Sequence, residues 1–155
     1  MGTNVQAFNA ELTRWAKQRL PEEVKRVTTA VALEALTRIV GRTPVDTGRA
    51  RGGWQVAIGS PAAGEGENDQ NGTNTVSRGS ATIRSAPPFS DVHITNNVEY
   101  IDILENGGFD PPDPGPSKDR RPGRKGRILV EGGYSTQAPR GMVDLTFQEL
   151  RAIFG

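Results

Sequence analysis

The chain has no cysteine and a single histidine, His93, among its 155 residues. Without cysteine there can be no disulfide, no thiol catalysis and no zinc site with a sulfur ligand. A lone histidine also excludes a histidine-rich metal site. Its position between Val92 and Ile94 predicts a strand residue on the polar face, exposed or at an interface. The fold must therefore be stabilised by packing or by assembly with other chains.

An excess of one charge is also missing, because 19 Lys and Arg residues balance 18 Asp and Glu residues and leave a net charge of +1. So small a net charge does not indicate nucleic acid as the main partner. Long apolar runs are missing too, and charged residues interrupt the N-terminal segment, which argues against a signal peptide or a membrane span. We expect one domain with a modest core, made in the cytoplasm and without a membrane partner.

Two helices are predicted in the first part of the chain. Apolar residues recur at spacings of three and four within residues 5–19, which is typical of one face of an amphipathic helix, and we expect this helix to pack through Trp15. A second helix should begin near Pro21, since proline lacks an N–H donor and suits a first helical turn. Pro44 prevents its continuation.

The remaining regular elements are short. Alternating apolar residues predict strands over 53–59 and 92–98, followed by a helical turn over 101–104. A short strand is expected at 128–130 and a closing helix at 141–154. The predicted class is therefore α+β, with N-terminal helices and a C-terminal helix packed on a small, mainly antiparallel sheet.

Two segments are poor in apolar residues and are predicted to be long loops, at about 61–80 and 109–127. In the first, Asn71 and Gly72 could instead form the tip of an extended hairpin. The second is rich in proline, glycine and charge, which favours extended, solvated backbone. It contains the strongly basic residues Lys118, Arg120, Arg121, Arg124, Lys125 and Arg127. These could contact DNA phosphates, or they could be a solvated loop or contact an acidic neighbouring subunit.

One tripeptide invites a catalytic hypothesis. Asp46, Thr47 and Gly48 match the tripeptide of aspartic proteases, in which two carboxylates from paired halves share a proton, so a dimeric protease is an alternative function. However, Asp46 follows a helix end rather than an apolar strand. We therefore favour a turn in which Asp46 bonds nearby backbone donors and Gly48 supplies an unusual dihedral. No metal-ligand spacing or phosphate-binding glycine motif is present, and no cofactor is predicted.

Three stretches in series resemble the tail-component family of tailed bacteriophages, which includes the minor tail protein Z type and is also described as tail-completion or head-tail joining. The first runs from residue 43 to 51 and continues to a tryptophan, the second covers 94–107, and the third covers 137–143. The residues of the first two stretches that carry the resemblance are Pro44, Asp46, Thr47, Gly48, Arg49, Trp54, Asn96, Asn97, Tyr100, Glu105 and Gly107.

The resemblance implies a non-enzymatic virion protein of the phage neck or tail, assembled in the bacterial cytoplasm. Its partners would be further copies of itself in a ring, expected to be a hexamer, a tail terminator or tail tube protein on one side, and a head connector or adaptor protein on the other. DNA would make transient contact as it passes through the ring. A tail terminator or connector adaptor is the alternative within the same neck.

Overall fold

The computed structural model describes residues 2–108, 129–130 and 132–155, and over these residues the fold is α+β, as predicted. Helices surround a small antiparallel sheet of two strands, and a second pair of very short strands lies near the C-terminal end. In chain order the elements are α1 (Gly2–Arg14), a π-helical turn (Trp15–Arg19), α2 (Leu20–Arg42), α3 (Arg49–Gly52), β1 (Trp54–Ile58), α4 (Thr73–Ser85), β2 (Val92–Asn96), α5 (Ile101–Asn106), β3 (Leu129–Val130), β4 (Tyr134–Ser135) and α6 (Val143–Phe154).

The two N-terminal helices predicted from the sequence form one continuous helical rod. Pro21 cannot donate a backbone hydrogen bond, and its ring would crowd the carbonyl four residues earlier in a regular helix. The wider π-helical turn just before it, in which the Leu20 N–H donates to the Trp15 carbonyl, relieves that conflict without breaking the helix. Within its own chain the helix does not pack through Trp15 as predicted, because Trp15 is 49% exposed.

The core is built around the C-terminal half of α2. Leu36 and Val40 are almost fully buried there, and Trp54 from β1, Ile83 from α4 and Met142 before α6 belong to the same cluster. Strands β1 and β2 pair antiparallel over five residues each, so that one face of the sheet packs towards this cluster. The burial of a few aliphatic side chains and one indole is the main stabilising contribution of this small core.

The predicted loop over 61–80 is correct only in its first part, because helix α4 begins at Thr73. The Asp69 carboxylate accepts hydrogen bonds from the Gly72 N–H at 2.9 Å and from the N–H and hydroxyl of Thr75 at 2.8 and 2.9 Å, which fixes the start of the helix. Residues Asn71 and Gly72 therefore lead into a helix rather than form a hairpin tip. The prediction failed because α4 buries small and polar residues, including Thr75 and Gly79, which carry little hydrophobic signal.

The other predicted loop, 109–127, lies outside the described residues, and so do all six residues of the basic stretch. The predicted strand at 128–130 corresponds to β3, which pairs antiparallel with β4. The closing helix is present as α6. Among the helices that the structure describes, none is long and apolar enough to cross a membrane.

Candidate functional site

The three stretches that carry the family resemblance are brought together in the structure, and their polar side chains form most of the contacts between them. The first stretch begins where α2 ends. There the Thr43 hydroxyl donates to the Ile39 carbonyl at 2.7 Å and accepts a hydrogen bond from the Trp54 indole N–H at 2.7 Å. Thr43 is completely buried. It therefore connects the end of the central helix to the start of β1.

Gly48 and the short helix α3 turn the chain towards β1. Gly48 has a φ of +89°, which a side chain would disfavour, and a Cβ at this position would lie 2.6 Å from the Gln70 nitrogen and 2.7 Å from the Asp69 carbonyl carbon. The Gly48 carbonyl accepts the Asp69 N–H at 3.1 Å. The predicted unusual dihedral at Gly48 is confirmed, and its physical reason is close backbone packing against residues 69–70.

Arg49 makes the densest set of charged contacts in the first stretch. Its guanidinium donates two hydrogen bonds of 2.8 Å to the Glu65 carboxylate, lies 3.4 Å from Glu99 and sits 5.7 Å from the centre of the Tyr100 ring. The hydrogen bonds with Glu65 raise the pKa of Arg49 and lower the pKa of Glu65. Because both side chains are exposed, this ion pair orients the loop between β1 and α4 more than it stabilises the fold.

Asn96 attaches the second stretch to the first, and Asn97 attaches it to the loop that follows β1. Asn96, at the end of β2, donates from its side-chain amide to the Ala50 carbonyl at 2.8 Å and accepts the Val98 N–H at 3.1 Å. Asn97 donates to the carbonyls of Ala62 and Gly64 at 2.9 and 2.7 Å. The two asparagines therefore satisfy backbone groups of α3, of the loop after β1 and of the segment after β2.

Glu105 connects the second stretch to the third. Its carboxylate accepts the N–H groups of Met142, Val143 and Asp144 at 2.7, 2.8 and 2.9 Å. These are unpaired donors of the first turn of α6, so a carboxylate from α5 acts as the N-terminal cap of a helix 37 or more residues away in sequence. Gly107, two residues later, caps the C-terminal end of α5 with a φ of +70°.

Gln137 connects the third stretch to the first. Its side-chain amide accepts the Val45 N–H at 2.8 Å and donates to the Val45 carbonyl at 3.1 Å, which imitates the pairing of a neighbouring strand. Contacts therefore exist between the first and second, the second and third, and the third and first stretches. We call this connected set of residues the junction: Thr43, Val45, Gly48, Arg49, Ala50, Trp54, Asn96, Asn97, Glu105 and Gln137.

Most junction residues are predicted from the sequence, but the roles of Thr43, Asp69 and Glu105 are not. Thr43 follows a helix directly and precedes a proline, a position from which its hydroxyl can bond the preceding turn, and this is the signal that could have identified its role. Asp69 was placed in a flexible loop, although an acidic residue a few positions before a threonine-rich segment is a signal for a helix start. The cap made by Glu105 could not be found, because its partners are distant in sequence.

The residues considered for catalysis or cation binding do not converge. The prediction that Asp46 bonds nearby backbone donors is wrong for the described residues: Asp46 lies exposed in the bend after α2, and the Thr47 hydroxyl instead accepts the Arg49 N–H at 3.4 Å. The three loop carboxylates have separate partners, since Glu65 binds Arg49, Glu67 lies 3.4 Å from Arg78, and Asp69 caps α4. Within the described part of the chain, no group of three or more acidic or histidine side chains could hold a metal ion.

His93 lies on β2 and is partly buried, and its exposed or interface role stays a prediction. Its Nε2 atom is buried and has no hydrogen-bond partner among the described residues, and the same is true of the Thr95 hydroxyl two residues later. Both residues lie on the sheet face that is opposite to the Trp54 side, facing Gln55 and Ala57 in the register of β1. His93 and Asp46 are also absent from the lining of the open groove of about 350 Å³ beside β1 and α4.

The arrangement of the junction is architectural: three short stretches satisfy one another's backbone groups and fix the positions of α2, β1, α5 and α6. The Asn96, Glu105 and Gln137 side chains of this network bind backbone groups of neighbouring segments rather than one another. The chain matches no protein-family model, and it is similar to no curated protein and to no solved structure.

Proposed function

We propose that the chain is a non-enzymatic structural subunit of a tailed-phage neck, which completes the tail or joins it to the head as part of a ring through which DNA passes. In this proposal its partners are further copies of itself, expected as a hexamer, a tail terminator or tail tube protein, and a head connector or adaptor protein. The protein would assemble in the bacterial cytoplasm and remain in the virion.

The observation that carries the proposal is the contact of the three family-like stretches. Resemblance in three separate short stretches would be weak if they were scattered over the fold. Instead, Glu105 joins the second to the third, Gln137 joins the third to the first, and Asn96 joins the second to the first. Residues that form one structural unit are expected to be retained together, so their joint presence supports the resemblance.

The geometry around Asp46 weighs against the protease alternative. A pair of catalytic aspartates shares a proton because both are held in a dry, enclosed site. Asp46 is exposed and lies in a bend rather than at the end of a strand. Incubation of the wild-type protein and of Asp46→Asn with denatured phage structural proteins would test this, and cleavage by the wild type alone would reinstate the alternative.

The proposal is tested by mass, shape and genetics. Light scattering and negative-stain microscopy of the purified full-length chain should show rings, or a monomer that joins rings when purified tails or heads are added. In a phage that encodes this chain, deletion of its gene should leave DNA-filled heads and separate tails, and supply of the protein in trans should restore joined particles. Normal virions after deletion would overturn the proposal.

The same experiment decides between the positions within the neck. A tail terminator would bind the end of the tail tube and stop its growth, so its deletion should give tails of irregular length. A connector adaptor would copurify with heads. A joining protein should leave tail length normal. Contact of passing DNA with Lys118, Arg120 and the other basic residues remains a prediction, and crosslinking to DNA that weakens with added salt would test it.

A further inference from the structure

The N-terminal arm, defined as residues 4–19, extends from the domain without packing against it. Every residue of this segment is exposed, although the helix continues unbroken into the buried part of α2. Four apolar side chains of the arm, between 49% and 61% exposed, follow one another at spacings of three, four and three. They are Val5, Phe8, Leu12 and Trp15. Val5 and Leu12 are seven residues apart, and so are Phe8 and Trp15. Such a narrow apolar stripe is typical of a helix that packs against another helix.

A second apolar surface of the same kind lies on α6. Phe147 and Phe154 are 51% and 49% exposed and are seven residues apart, so they lie on one face of the helix about 10 Å from each other. Phe8 and Trp15 of the arm have the same separation of seven residues. The two faces can therefore place aromatic side chains opposite one another at two successive positions, where aromatic pairs are favourable.

The arm cannot reach α6 of its own chain. Helix α6 is attached to the far part of α2, where the Arg42 guanidinium donates to the Glu149 carboxylate at 2.7 Å and Arg38 also binds Glu149. Thirty helical residues separate Phe8 from Arg38, which corresponds to about 45 Å along a helix. Any contact between the arm and this face of α6 must therefore join two molecules.

Charge complementarity selects an antiparallel contact. If Phe8 lies opposite Phe154 and Trp15 opposite Phe147, Glu11 of the arm comes opposite Arg151 of α6, and both are exposed. In the parallel alternative, with Phe8 opposite Phe147, Glu11 comes opposite Leu150, which is buried within its own domain. Opposite charges at facing positions set the register and orientation of paired helices.

We propose that the N-terminal arm docks antiparallel on the exposed α6 face of a second copy of this chain, with Phe8 and Trp15 against Phe154 and Phe147 and with Glu11 beside Arg151. The inference rests on the proposed self-assembly into a ring and identifies the surfaces that would form it. The two surfaces differ, so the contact is head-to-tail, and repeated contacts of this type close into rings when the rotation allows it.

The test uses a charge exchange on the full-length chain. Glu11→Arg and Arg151→Glu should each weaken self-association by about tenfold, as measured by sedimentation, since each places like charges opposite one another. The double variant E11R/R151E should restore most of the wild-type association. Ala10→Glu is the matched control, because it adds a charge on the opposite side of the arm and should leave association unchanged. Unfolding midpoints of all variants should match the wild type, since Ala10, Glu11 and Arg151 are all exposed.

Crosslinking gives a second readout in a chain without native cysteine. After mild oxidation, F8C/F154C should yield a ladder of linked chains and F8C/F147C should not, because a disulfide needs Cα atoms within about 7 Å. If the wild type self-associates but E11R/R151E does not restore association and F8C/F154C gives no ladder, the arm contact is overturned. The proposed ring is not overturned by that result. A ladder from the second pair alone overturns the antiparallel orientation. A wild-type chain that stays monomeric at its highest soluble concentration overturns the arm contact, and it overturns the proposed ring as well if it also fails to join purified tails or heads.

Discussion

Removal of the Glu105 carboxylate should destabilise the whole domain, although this residue is only partly buried. Its three hydrogen bonds reach the first turn of α6, and two of them are in a partly buried position at Met142 and Val143. Glu105→Ala leaves these two donors without a partner, and each unsatisfied donor costs about 1–3 kcal/mol. The third donor, on Asp144, is exposed and can bind water instead. We therefore expect a loss of about 2–4 kcal/mol in the free energy of unfolding.

The assay is urea unfolding followed by circular dichroism, with thermal unfolding as a second measurement. The expected loss corresponds to a fall in melting temperature of roughly 5–15 °C for a chain of this size. Glu105→Gln should lose about half as much, because its carbonyl oxygen can still accept while its amide group cannot. The control is Glu99→Ala, whose exposed side chain lies 3.4 Å from Arg49 and should change stability by less than about 0.5 kcal/mol. If the unfolding midpoint of Glu105→Ala equals that of Glu99→Ala, the proposed cap does not hold α6 in place.

Two further pairs of variants test the junction by the same unfolding assay. Gly48→Ala should lower the free energy of unfolding by more than about 3 kcal/mol or prevent folding, because its Cβ would meet backbone atoms at 2.6 and 2.7 Å. Gly41→Ala has nothing within 4 Å of its Cβ and should stabilise α2 by about 0.5–1 kcal/mol. Equal effects at the two glycines would contradict the close packing at residue 48. Trp54→Phe should cost about 1–3 kcal/mol, since the buried Thr43 hydroxyl loses its donor, while Trp15→Phe at the exposed arm should be neutral. A neutral Trp54→Phe would show that the indole hydrogen bond contributes little.

The sequence was sufficient for the elements that have a periodic apolar face. Strands β1 and β2 and helix α6 were predicted within a few residues, because their buried side chains recur at the period of a strand or a helix. Helix α4 was missed for the opposite reason. Its buried positions are occupied by Thr75, Gly79 and Ile83, and only the last of these is apolar and large. The close approach of Gly79 to Leu36 makes a small residue necessary there, and a small residue carries no hydrophobic signal.

Contacts within the candidate site could be predicted only where they are local. The conformation of Gly48 follows from the turn chemistry of its own tripeptide and was expected. The partners of Glu105, Asn96 and Gln137 lie tens of residues away, and pairing at such a distance depends on the finished packing. The prediction for Trp15 failed for a different reason. An amphipathic pattern shows that one face avoids water, but it does not say whether that face is covered by the same chain or by another.

The Asp69 cap makes stability dependent on pH in a way that can be assigned to one residue. Burial alone would raise the pKa of this carboxyl, but hydrogen bonds from the N–H and hydroxyl of Thr75 and from the N–H groups of Gly72 and Asn74 outweigh it and hold the pKa below its ordinary value. A lowered pKa in the folded state adds stability above the unfolded pKa of about 3.9, and this contribution disappears as the pH falls through the lower folded value. Asp69→Asn should therefore be clearly less stable than the wild type at pH 7, and the difference should shrink steadily below about pH 4. Asp91→Asn, at an exposed residue, is the matched control for the substitution itself. A difference between wild type and Asp69→Asn that stays constant down to pH 2 would mean that the ionised carboxylate is not what holds α4.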